Sequence, residues 1–109
     1  RVESEIRRER ARQEAKFGEQ NHPDLSGDAS SQVDERVMFS EKADNYKEMN
    51  NHKFDPSDTD HRLDWTGILL EEVYEALAEV DPATLRTELI QVASVAVAWI
   101  EAIDRREGE

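Results

Sequence analysis

The chain has 109 residues, 37% of them hydrophobic and 37% charged, with a formal net charge of −12. That is enough for one domain with a modest core, and acidic enough to be repelled by phosphate backbones and anionic membranes, which argues against nucleic-acid and membrane-surface partners. There is no cysteine, so disulfides, thiol nucleophiles and cysteine-based zinc sites are excluded.

No apolar run reaches the roughly eighteen residues of a membrane span, and Arg1–Phe17 is too charged for a signal peptide. The expectation is a soluble, cytoplasmic, all-α protein, residues 1–109 forming one domain. Residues 1–33 read as an N-terminal helix and loop, and residues 34–109 as the helical core.

Arg1–Lys16 is rich in Glu, Arg and Ala, with Val2, Ile6, Gln13 and Phe17 as only a thin stripe and Gly18 as its stop. Asp24–Gln32 reads as a turn-rich loop. A second helix, about Glu35–Asn50 and capped by Asp34, places Phe39, Ala43 and Tyr46 on one face. Asn50–Asp60 again reads as a loop, and His22, His52 and His61 as loop residues without metal-ligand spacing.

Asp64 is the expected cap of a third helix, roughly Trp65–Val80, whose core face uses Ile68, Leu69, Val73 and Leu77. Asp81-Pro82 is a cap followed by proline at the first helical position, so a fourth helix, roughly Pro82–Arg105, should lie antiparallel to the third. From Leu89 to Ile100 its only polar residues are Gln91 and Ser94. A helix apolar nearly all round must be covered on all sides, more than three other helices of this chain can do, so a homodimer is expected. Trp65 and Trp99 read as packing residues.

Chemistry concentrates on these last two helices. Glu72 and Glu75 stand three residues apart on one helical face, with Glu71 and Glu79 nearby, and Glu88 and Gln91 repeat the spacing on the next helix. Packed like charges repel unless a cation lies between them, and carboxylate oxygens suit Mg²⁺. A solvated acidic face is the plainer reading of such a cluster in an acidic chain. Gln91 interrupts the apolar run, either as a satisfied core amide or facing a cavity with Glu88, as an outer ligand or hydrogen-bond donor. At the end of the first helix, Lys16, Phe17, Gln20 and Asn21 combine a cation, a ring and amides that could hold a nucleobase. A ligand-free helix end fits the same composition. There is no Gly-rich phosphate loop, Ser/His/Asp arrangement or HExxH.

Glu72-x-x-Glu75, twelve residues, then Glu88-x-x-Gln91 resembles the ExxE–spacer–ExxD signature of the MazG-like all-α nucleoside triphosphate pyrophosphohydrolases. ERARQEAKFGEQNHPD and ELIQVASVAVAWIEAIDRR further resemble a subset common in actinobacteria and their phages. The resemblance implies a four-helix MazG-like bundle assembled as a dimer or tetramer. It also implies Mg²⁺-dependent (or Mn²⁺-dependent) hydrolysis of an NTP or dNTP to the monophosphate and pyrophosphate. By position, Glu72, Glu75 and Glu88 would ligate the metal, with Gln91 where the family has Asp. Glu71 would orient the attacking water beside Glu72, and Lys16, Lys42, Lys53 or a second chain's Arg105 would supply positive charge. Because Gln91 removes a hard-cation ligand, the alternative is a helical dimer that binds a nucleotide or protein without catalysis. A sibling activity, on phosphoribosyl-ATP or a modified nucleotide, is equally compatible with the motif.

Overall fold

The computed structural model describes residues 1–55, 57 and 62–108, and every regular element among them is an α-helix: α1 (Val2–Phe17), α2 (Ala29–Lys53), α3 (Trp65–Ala78) and α4 (Pro82–Arg106). Three expected helix signals act as anticipated. Gly18 takes φ 68° and its N–H bonds to Glu14 O at 2.8 Å, closing α1. Asp64 accepts from Gly67 N at 2.7 Å to start α3, and Asp81 accepts from Thr84 N at 3.0 Å to start α4 with Pro82 behind it.

α2 differs from expectation at both ends. Its cap is Asp28, which accepts from Ser31 N at 2.8 Å, so Ala29–Gln32 is helical and Asp34 lies inside the helix. Its C-terminus runs three residues past Asn50 to Lys53, which places His52 in helix rather than loop. Of the expected loop at Asn50–Asp60, residues 56 and 58–60 lie outside the described residues, as does His61.

α3 is the middle of the structure. It packs antiparallel against α2 on one side and α4 on the other, while α2 and α4 make no close backbone approach. At the α2–α3 seam the buried Gly67 meets Asn50 of α2, and Ala43, on the stripe of Phe39 and Tyr46, is buried too. Phe39 and Tyr46 stack on Tyr74 at 6.1 and 5.8 Å between ring centroids. The α3–α4 seam is marked by Trp65 stacked on Trp99 at 6.3 Å, the packing role expected of both. Leu77, expected on the core face, is exposed.

α4 is not surrounded. None of its residues is buried, and Leu89 and Ile90 are 51% and 52% exposed. Full burial of this helix is therefore not met within one chain. By length and composition α4 also reaches the margin of a membrane span, with a mean hydropathy of 1.2 over its most apolar stretch. Among the described helices α1 approaches only α4, burying Val2 and carrying surface pairs such as Arg10–Glu14 and Arg12–Glu9. The result is a slab of 46 × 37 × 19 Å, scarcely two helix diameters thick. Its radius of gyration of 16.9 Å exceeds the roughly 13 Å of a compact chain of this length.

Candidate metal centre

The central position of α3 gives its carboxylates two helical neighbours. Glu71 and Glu75 are four residues apart and Glu72 and Glu75 three, so all three project from one strip of α3, and all are half-buried. One oxygen from each lies within 4.8 Å of the others. No Lys or Arg among the described residues makes an ion pair with them within 4.0 Å.

The electrostatics follow from that crowding. Burial, reinforced by the charges of Glu71 and Glu88, raises the Glu72 carboxyl above the usual glutamate range. Burial also raises Glu75, with Glu72, Glu71 and Glu88 adding to the rise and Lys47 of α2 partly offsetting it. Two side chains are thus held where their ionised forms are costly.

Glu88 and Gln91 reach the cluster from α4. The Gln91 amide lies between two carboxylates, and its nitrogen is assigned toward them because its oxygen would meet only acceptors. So placed, its Nε2 donates to Glu72 Oε2 at 3.0 Å and to Glu88 Oε2 at 3.2 Å. This is the donor geometry that the sequence offered as one reading, although Gln91 is exposed rather than a core amide. Glu79 stands outside the group, because its Oε1 accepts from Val80 N at 3.0 Å and Asp81 N at 3.1 Å and so shapes the α3–α4 turn.

From α2 comes a residue that sequence reasoning left at the edge of a loop. Asn50 is buried, and its Nδ2 donates to Gly67 O at 3.0 Å and to Glu71 Oε1 at 2.9 Å. Beside it a cavity of about 190 Å³ is walled by Glu71 and Glu72 together with Phe54, Leu63 and Ile68. A signal for Asn50 was present. Positions 39, 43, 46 and 50 continue one helical stripe, and Lys47 sits next to it.

The other expected site residues are engaged elsewhere. Lys16 lies over the Phe17 ring at 5.1 Å, and Phe17 is 59% exposed. Gln20 Oε1 is 2.9 Å from His22 Nε2, and Asn21 donates to Glu19 Oε2 at 3.0 Å. Among the described residues, none of Lys16, Phe17, Gln20 and Asn21 bonds to the carboxylate cluster. Lys42 lies over the Tyr74 ring and Lys53 pairs with Asp64 at 3.3 Å. Arg105 borders a groove with Val2 at the far end of α4.

Three oxygens shared by one Mg²⁺ at its usual bond length would span at most about 4.2 Å. Glu72 and Glu75, with oxygens within 4.8 Å of each other, would need a small contraction to share one ion. All-oxygen donors suit Mg²⁺ or Mn²⁺ and disfavour softer metals. Comparison of the chain with protein-family models, curated proteins and solved structures returns no match.

Proposed function

We propose that the chain is a Mg²⁺-dependent nucleotide pyrophosphohydrolase of MazG-like type, acting in the cytoplasm as a homodimer or tetramer. The observation that carries this reading is the meeting of Glu71, Glu72 and Glu75 on α3 with Glu88 on α4, no ion-paired Lys or Arg lying among them in the described residues. Glu72, Glu75 and Glu88 would hold the metal, with the Gln91 amide oxygen available after rotation. A bound Mg²⁺ supplies charge neutralisation for the triphosphate and its transition state. Glu71 would accept a proton from, and orient, the water that attacks the α-phosphorus, expelling pyrophosphate. The cavity against Leu63, Ile68 and Phe54 offers an apolar wall beside those groups for the nucleoside. At about 190 Å³ it is smaller than the roughly 300 Å³ at which ligand pockets begin. A second chain over α4 would deepen the site and could bring Lys16, Phe17, Gln20 or Asn21 to it.

The bridging Gln91 favours a second reading. Its amide already links Glu72 to Glu88, so the cluster could stand as a structural junction in a nucleotide- or protein-binding dimer without catalysis. Pyrophosphate release from a panel of NTPs and dNTPs, with and without Mg²⁺, separates the two. The hydrolase reading expects metal-dependent release that Glu72→Ala abolishes. No release from correctly folded wild type across the whole panel would transfer the case to the binding dimer.

A further inference from the structure

We infer that Asn50 is a positioning residue for the hydrolysis, fixing Glu71 so that its second oxygen faces the attacking water, and that Gly67 is there to admit it. The inference rests on the hydrolase reading above.

Asn50, only 7% exposed, reaches across the α2–α3 seam. One amide nitrogen holds two acceptors of α3, the Gly67 carbonyl at 3.0 Å and Glu71 Oε1 at 2.9 Å. Its other polar atom is served poorly, since Oδ1 is buried with no hydrogen-bond partner. A buried amide with half its capacity unmet is an expensive way to fill space, and an apolar side chain of similar size would pack there without that penalty. The donor end is what the position uses.

Gly67 supplies the room. A Cβ there would lie 2.5 Å from Asn50 Oδ1 and 3.0 Å from Asp64 Oδ1, too close for the first contact. A glycine three residues into α3 weakens the helix, and in this place it permits the Asn50 approach. The bond to Oε1 leaves Oε2 of Glu71 to accept from a water. It also locks the rotamer of the carboxylate from the side opposite α4, and a catalytic group held by a buried partner loses rate when that partner is removed.

The test compares wild type, Asn50→Ala and the double variant Asn50→Ala/Gly67→Ala, in full-length protein with Mg²⁺ and the best nucleotide of the panel. Asn50→Ala should lower kcat about tenfold to a hundredfold. KM and the Mg²⁺ concentration for half-maximal rate should stay within about threefold, because neither the metal ligands nor the nucleoside wall has changed. The double variant fills part of the vacated space and strengthens α3, so it should regain melting temperature without regaining kcat. If Asn50→Ala does not fold, kcat is read on the double variant. Unchanged kcat in Asn50→Ala, or kcat that returns together with stability in the double variant, overturns the inference and leaves the hydrolase reading standing. An inactive wild type overturns both.

Discussion

The two sides of α3 are built differently. Against α2 it presents Gly67 to Asn50 and Tyr74 to Phe39 and Tyr46, and the buried Asn50 amide ties the helices together. Against α4 it presents Trp65 to Trp99 and Glu72 to Gln91, and α4 has no buried residue at all. The first seam is finished within one chain and the second is not. The carboxylates lie on the border between them, with Asn50 holding one from the finished side and Gln91 holding another from the open side. A rigid support on one flank and an uncovered surface on the other is the arrangement expected of a site that a second chain or a ligand completes.

Removing the site should have the largest effect. Glu75→Ala should lower Mg²⁺-dependent pyrophosphate release by a factor of roughly a thousand while the helical circular dichroism signal persists. Wild-type turnover in that variant would detach the cluster from the chemistry. On the open side, Leu89→Glu should convert a dimer to monomers in sedimentation, at little cost to the isolated chain, because that side chain is already exposed within it. A wild-type chain that sediments as a monomer at tens of micromolar would leave α4 to another kind of cover.

On the closed side, Gly67→Ala alone should destabilise by about 1–3 kcal/mol through overpacking against Asn50. Leu89→Glu and Gly67→Ala together break the comparison if their thermal shifts in the monomer come out equal.

The pH dependence is smaller and has a definite sign. Without metal, folded Glu72 and Glu75 keep protons at pH values where the unfolded chain has released them. Their contribution to stability is fully present below the ordinary glutamate value of about 4.3 and is lost as pH rises through the raised folded values. The Asp28, Asp64 and Asp81 caps, held low chiefly by backbone hydrogen bonds, act oppositely and at lower pH. The difference between wild type and Glu75→Gln therefore isolates the cluster. Melting curves at a series of pH values should show the variant gaining on wild type as pH rises, and Mg²⁺ should close the gap.

The sequence was legible where local chemistry decides. Asp64, Asp81-Pro82 and Gly18 mark helix ends because each satisfies or releases backbone groups within a few residues, and the Glu72, Glu75, Glu88 and Gln91 positions follow from helical period alone. It misled where distant contacts decide. Ser30, Ser31 and Asn51 are weak helix formers, yet Asp28 caps the first two, and Asn51 follows an Asn50 whose side chain bonds to Gly67 O across the seam. Lys47, the cation that offsets part of the charge felt by Glu75, could not be chosen over Lys16, Lys42 and Lys53 until α2 was placed on α3. The all-apolar look of α4 spoke of a covered helix without saying by what, since burial depends on a surface beyond the chain.

The central claim is that the α3–α4 carboxylates form a divalent-cation site, and direct titration tests it. Mn²⁺ binding to wild type and to Glu72→Gln, followed by electron paramagnetic resonance with Mg²⁺ as competitor, needs neither substrate nor turnover. The account predicts saturable binding by wild type, displaced by Mg²⁺ and weakened at least tenfold in Glu72→Gln. Equal weak binding by both proteins, at a level any acidic surface would show, would contradict it.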